Sequence, residues 1–237
     1  MMQVKEITSL EQLESLEPRW NSLLAASGAA SPFLTFEWIG SWWRSFRSGD
    51  GAAADGSGLR VLVVEADGEP IAIAPLMSAT GSLFGVPLTV VSNIVNDHSF
   101  RAGLIVTDRI EEVVRAIFRH LKATTRDWDV ISLRSLVRED AERFALTETL
   151  TLEGALVGEA PVWRSPYLPV TQDWESYFTT VSRTTRYAVR RKVRKLERLP
   201  GFSIRAIGQD GGEDLLDAIF EIDRKSWQYS NASGLGS

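Results

Sequence analysis

The sequence contains no cysteine. That absence excludes disulfides, thiolate nucleophiles and cysteine-based zinc sites, and it fits a reducing compartment. Histidine is almost absent as well. His98 and His120 are the two in 237 residues, poor material for a histidine metal site or a proton relay. No apolar run approaches the roughly 18 residues needed to span a bilayer. The opening MMQVKEITSLEQLESLEPRW is charged and lacks the apolar stretch of a signal peptide. The expected location is the cytoplasm, and no metal is expected.

What is present is globular. Hydrophobic residues make up 44% and charged residues 24%, which is not the composition of a disordered chain. Eight Trp and ten Phe supply enough large apolar surface for a core. The length suits one large domain or two small ones. Charge is unevenly spread: with eight Arg or Lys and one Glu, residues 182–198 carry +7, which leaves −12 for the rest of a chain whose net is −5.

Periodicity and turn chemistry predict the elements. MQVKEI reads as a strand. Thr8 with Glu11 fits a capping box opening a helix through Leu16, and Pro18 suits the first turn of a restarted helix to about Ala26. Thr35 can cap FEWIGSWWRSF, on which Phe36, Ile39, Trp43 and Phe46 recur at helical spacing. Trp42 and Trp43 cannot both face one core. Residues 48–58 are Gly- and Ala-rich and read as a flexible loop. Asp67-Gly68 between two β-rich runs predicts a hairpin, and PLTVVS extends the meander. IEEVVRAIFRHLKA is helical, with Val113, Val114, Ile117, Phe118 and Leu121 on one side. WDVISL reads as a buried strand, and 139–153 as a helix with Phe144 and Leu150 inward.

From Pro161 the texture changes. DWESYFTTV is a short helix and SRTTRYAVRRKVRKLERL a long basic one, stopped by Pro200-Gly201. FSIRAI reads as a strand, and 213–227 as a last helix. A lone strand makes no sheet, so FSIRAI pairs with the first sheet or with segments beyond Ser237. The fold class expected is α/β (α+β), a mixed β-sheet with flanking helices. Residues 1–168 form a first domain, and 169–237 an incomplete second.

The basic helix has two faces. Arg183, Arg186, Arg190, Arg191, Arg194 and Arg198 share about 140° of arc. Val189, Val193 and Leu196 form an apolar stripe about 60° wide, and Lys192 and Lys195 flank the arginines. Guanidinium suits phosphate or carboxylate. Such a face could meet a nucleotide-linked substrate, a polyanion or acidic lipid headgroups, or it could be a solvated face paired with the acidic remainder. Nucleic acid is not favoured, because beyond Tyr187 no aromatics interleave with the cations.

Four segments in order resemble a known family: WNSLLAASGAASPFLTFEWIGSWWRSF, VLVVEADGEPIAIAPLM, SPYLPVTQDWESYFTTVSRTTRYAVRRKVRKLER and EIDRKSW. The set is similar to the CelD-like, cellulose-biosynthesis-associated branch of GNAT N-acetyltransferases. The basic helix followed by Gly and a strand also resembles the FemABX peptidyltransferases. The resemblance implies two GNAT-like units in tandem, with the acyl donor site usually in the second. It implies an acyl group moved from acetyl-CoA or another acyl-CoA to an amine or hydroxyl. The acceptor would be an anionic small molecule or polysaccharide precursor, and Arg183, Arg186, Arg190 and Arg194 would bind substrate or phosphate. Peripheral membrane contact is compatible with this.

Two departures stand out. The family holds the CoA pyrophosphate on a Gly-containing turn at a helix N-terminus. The nearest segment here, QDGGED at 209–214, lacks the second Gly and ends in acids, so it reads as an ordinary strand-to-helix turn. Family members also continue for roughly another domain, so the chain reads as truncated at its C-terminus. Asp223 is a candidate to orient a nucleophilic amine, against an exposed amphipathic helix as the plainer account. Asn96-Asp97-His98 could supply a general base, against a plain polar loop. The alternative function is a non-catalytic GNAT-like module binding an anionic ligand or a membrane-associated synthase.

Overall fold

The computed structural model describes residues 2–29, 31–47, 58–96, 98–124, 128–136, 141–161, 166, 168–204 and 212–227. The loop expected at 48–58 therefore lies outside the described residues except for Gly58, and so does Asp97. The chain divides into two compact units, Met1–Arg164 and Ser165–Ser237.

The first unit runs β1 (Met2–Ile7), α1 (Leu10–Ser15), α2 (Glu17–Ser27), a 3-10 turn at Pro32–Leu34, and α3 (Phe36–Arg47). Then follow β2 (Gly58–Leu59), β3 (Val61–Ala66), β4 (Glu69–Ala74), β5 (Leu76–Leu83), β6 (Val86–Asn93) and β7 (Ile105–Val106). It closes with α4 (Ile110–Thr124), β8 (Val130–Ser132) and α5 (Ala141–Leu152). The α/β class and flanking helices are as expected. The strands, however, form two four-stranded sheets, β1-β3-β4-β7 and β2-β5-β6-β8, rather than one. All pairs are antiparallel except β6 with β8.

The division falls at Arg60 and Pro75. Pro75 has no N–H to give a ladder, and the long hairpin passes there from one sheet to the other. The Arg60 amide donates to the Leu76 carbonyl at 3.0 Å and keeps the two halves joined. The β3–β4 turn is as predicted, with Asp67 and Gly68 both left-handed (φ 53° and 89°). A second turn of the same kind, Phe84-Gly85 (φ 50° and 81°), joins β5 to β6. The sequence reading passed over β5, because SATGSL is small and polar and Phe-Gly is not a recognised turn pair.

Strand β3 is buried on both faces. Val61 and Val63 point to one side and pack with Leu13, Trp20, Leu23, Ile39 and Trp42 of α1–α3. Leu62 and Val64 point to the other and pack with Val113, Val114, Ile117, Leu121 and Leu146 of α4 and α5. This is the period-two alternation of a strand between helical layers. The α4 stripe is as predicted. On α3 the buried set is Phe36, Ile39, Gly40 and Trp42, so the face is turned one residue from the expected one. Trp43 is half-buried and Phe46 is exposed. On α5, Ala145 and Leu146 face inward, and Phe144 is exposed with the Arg143 guanidinium over its ring at 4.3 Å. Strand β8 is an edge strand with Val130 exposed, not a buried one.

The first cap lies one residue later than predicted. Ser9 Oγ accepts from the Gln12 amide at 3.2 Å, and Gln12 Oε1 accepts from the Ser9 amide at 3.3 Å. This is a complete capping box with Gln in place of Glu.

Helices α4 and α5 are tied by Glu153, which accepts from Arg115 Nε at 3.1 Å and from Arg119 Nε at 2.8 Å. The Arg119 hydrogen bond, aided by both arginine charges, holds the Glu153 carboxyl below its ordinary value. A depressed carboxylate contributes stability above its unfolded value and loses it as pH falls through the folded one. Glu153→Gln should therefore narrow the gap between neutral and acid stability, measured as the denaturation midpoint from pH 7 down to pH 3. An unchanged gap would exclude Glu153 from acid sensitivity.

The second unit contains α6 (Trp174–Thr180), α7 (Arg183–Glu197) and α8 (Gly212–Arg224). Asp173 Oδ1 accepts from the Ser176 amide at 2.7 Å, which caps α6 and lowers the Asp173 carboxyl from its ordinary value. Ser182 Oγ caps α7 by accepting from the Thr185 amide at 3.1 Å. Helix α7 ends at Glu197, ahead of Pro200, and Gly201 is left-handed (φ 74°). Residues 202–204 are not in a strand, which corrects the reading of FSIRAI for its first half; 205–207 lie outside the described residues.

Candidate functional site

Strands β6 and β8 run parallel over three residue pairs, Val90 with Val130 to Ser92 with Ser132. Loops leave both carboxyl ends on the same side. In open α/β sheets, that crevice is where ligands bind.

One side chain holds the place open. Asn93, 4% exposed, continues the ladder where the backbone stops. Its Nδ2 donates to the Arg134 carbonyl at 2.6 Å, and its Oδ1 accepts from the Arg134 amide at 3.1 Å. A side-chain amide thus stands in for a peptide group. Further along, the Ala102 amide donates to the Ser135 carbonyl at 3.1 Å. Ser135 is left-handed (φ 60°), which costs a non-glycine residue free energy. Such outliers concentrate at ligand sites.

The loop after β6 carries the one histidine at this end. The Asn96 side-chain carbonyl accepts from the His98 amide at 3.0 Å. The His98 ring stacks on Phe46 of α3, with centroids 6.1 Å apart and planes at 18°. Buried Ser99 accepts from Trp38 Nε1 at 3.1 Å, which fixes the loop to α3. Asn96-Asp97-His98 was legible in the sequence as a polar loop. Asn93, Arg134 and Ser135 were missed because a lone Asn at a strand end carries no motif. The other histidine lies elsewhere: His120 Nε2 is 3.2 Å from Glu6 Oε2, and Glu6 Oε1 accepts from Arg60 Nε at 2.8 Å.

Two features oppose phosphate in this unit. Helix α4 begins with Asp108, Glu111 and Glu112 around its N-terminus, where an external anion would otherwise be favoured. The Leu104 amide already donates to Glu142 Oε1 at 2.8 Å. A separate open cleft of about 540 Å³ lies beside α2 and the start of α3. Two of its polar side chains are paired, with Asn21 Nδ2 donating to Glu37 Oε1 at 2.9 Å.

In the second unit, Arg183, Arg190 and Arg194 are exposed on α7 and Arg186 is half-buried. Within that unit, none of the α7 arginines or lysines is ion-paired among the described residues. Three are braced in other ways, among them Arg194, whose Nε donates to the Arg190 carbonyl at 3.3 Å. Arg186 Nη1 donates to the Thr179 carbonyl at 2.7 Å, and the Arg190 guanidinium lies 5.4 Å from the Phe178 ring centroid. Among the described residues, Arg183, Arg191 and Arg198 have no such anchor. Asp223 is buried on α8, in place of the exposed position that the plainer account gave it. QDGGED lies outside the described residues up to 211, and α8 starts at Gly212. Among the described residues no three His, Asp or Glu side chains gather as a metal site, and no helix is long and apolar enough to cross a membrane.

No protein-family model matches the chain, and no curated protein matches it. Among solved structures it is similar to a possible acetyltransferase from Clostridium difficile 630, at 10% identity and a TM-score of 0.43, covering 71% of this chain and 99% of that one. It is similar to an aminoglycoside acetyltransferase from an uncultured soil metagenomic sample, at 17% identity and a TM-score of 0.42, covering 71% and 99%. A third is the ribosomal-protein-alanine N-acetyltransferase from Brucella melitensis biovar Abortus 2308, at 13% and 0.38, covering 70% and 99%.

Proposed function

We propose that the chain belongs to a GNAT-type acyltransferase of the CelD-like branch, moving an acyl group from a CoA thioester to an amine or hydroxyl. The supporting observation is the parallel β6–β8 pair within an otherwise antiparallel array, with two loops pinned together at its carboxyl ends by Asn93. The transfer is a direct displacement. The acceptor nitrogen or oxygen bonds to the thioester carbon, the carbon–sulfur bond breaks, and CoA leaves as a thiolate. The acceptor proton must pass to a base. His98 is the candidate base at this end of the first unit, and Asp223 is the candidate in the second. Arg183, Arg186, Arg190 and Arg194 would meet an anionic reactant, with a polysaccharide precursor as one acceptor class.

Calorimetric titration with acetyl-CoA at low salt, with free CoA as control, tests this. Saturable binding near micromolar is expected, and His98→Ala should lower acetyl transfer roughly a hundredfold while leaving that binding unchanged. Transfer unaffected by His98→Ala removes His98 from the chemistry.

A second reading, a non-catalytic binding module, is favoured by the acids around the α4 N-terminus and by Glu142 occupying the Leu104 amide. Absence of acetyl-CoA binding would support it.

A further inference from the structure

A helix carrying an apolar stripe normally buries it. On α7, past the half-buried Val189, the stripe stays open: Val193 is 45% exposed and Leu196 40%, and Leu199 just beyond the helix end is 50% exposed. Phe202 and Ile204 extend the apolar track past Gly201, and both are exposed. Cations border the stripe on both sides. About 100° per residue places Arg186 at one edge and Lys192 at the other, with the remaining arginines beyond Arg186. These cations have no carboxylate partner within their own unit among the described residues. An exposed apolar stripe and a run of unpaired cations along one helix call for a partner that is both anionic and apolar.

We infer that α7 and the segment to Ile204 dock on an anionic lipid surface, with Val193, Leu196 and Leu199 entering the acyl boundary and the arginines and lysines on headgroup phosphates. This is the arrangement of an interfacial helix, where long basic side chains reach up to the headgroups while the apolar face sinks below them. Charge complementarity selects the lipid: a helix segment of +7 in a chain of net −5 is drawn to a surface of negative potential, while the rest is repelled. That orients the chain as well as holding it. A soluble polyanion or nucleic acid would match the cations but leave Val193, Leu196 and Leu199 in water. The inference rests on the assignment of α7 to an anion and not on acyl transfer. It would make the membrane face the place where an anionic reactant is met.

Vesicle co-sedimentation of the 237-residue chain tests it, using phosphatidylcholine vesicles with and without 30% phosphatidylglycerol. Partition should be at least about tenfold greater with the anionic lipid and should fall steeply as salt rises. Arg191→Glu with Lys192→Glu should lower it more than about tenfold. Leu196→Asn with Leu199→Asn should lower it about tenfold with every charge kept. The substituted side chains are exposed, and circular dichroism should confirm an unchanged helix content. Equal partition to both vesicle types, or none, overturns the inference. So does an asparagine variant that binds as well as the parent, since it would mark a site for soluble phosphates. Loss of vesicle binding leaves the acetyl-CoA titration untouched, so the two readings fail separately.

Discussion

Trp20→Ala should destabilise the first unit by about 3–5 kcal/mol, the largest single effect expected in the molecule. Trp20 is fully buried, and its ring meets Phe36 edge-on with centroids 6.1 Å apart. Its Nε1 donates to the Leu34 carbonyl at 2.8 Å. Truncation leaves a large cavity between α2, α3 and the sheet, and strands a buried carbonyl. In a domain of this size the melting midpoint should drop by roughly 10 °C. Trp20→Phe separates the two contributions, because it keeps a ring and removes the donor. It should cost about 1–3 kcal/mol for the orphaned carbonyl, plus whatever volume the smaller ring fails to fill. A Trp20→Ala cost under about 1 kcal/mol would contradict the packing of α2 on the sheet.

Asn93→Ala is the second large effect, and it acts on the site. It removes both hydrogen bonds that Asn93 makes to the Arg134 amide and carbonyl, at about 0.5–1.5 kcal/mol for each. The loss is local. Amides in 94–104 and 133–136 should exchange faster, while those of β3 and β4 hold. If acyl-CoA binds at this end, its affinity should fall more than about tenfold, since the loops lose their fixed spacing. Asn93→Asp is the sharper probe. It keeps an acceptor for the Arg134 amide but sets a charge against the Arg134 carbonyl, so it should be at least as damaging as Ala. Unaltered loop exchange in both variants would show that other contacts hold the crevice.

What the sequence made legible follows from how each signal arises. The α4 stripe could be read because Val113, Val114, Ile117 and Leu121 all obey one period and all meet one core. The Asp67-Gly68 turn was readable because its left-handed backbone demands a particular chemistry. On α3, five tryptophans and phenylalanines compete for the core in neighbouring positions. Periodicity alone could not tell Trp42 from Trp43, and the packing of Trp20 against Phe36 decides it. Phe144 was misplaced because an aromatic ring can be covered by a neighbouring guanidinium instead of a core. Asn93 escaped notice since its role depends on Arg134, 41 positions away. The charge of α7 was plain in the sequence, but only the structure shows that the described residues of its own unit leave that charge unanswered.

The three-residue β8 also sets the order in which the molecule assembles. The β5–β6 hairpin closes through a two-residue turn and needs no distant segment, so it can form early. Strand β8 can join β6 only after the intervening chain has folded back through α4, and it gains just three residue pairs for that closure. The crevice at the ends of β6 and β8 is therefore expected to be completed after the β5–β6 hairpin and to open before it in native fluctuations. A protease or a deuteron will find it before the core, and a ligand bridging the two loops would slow both.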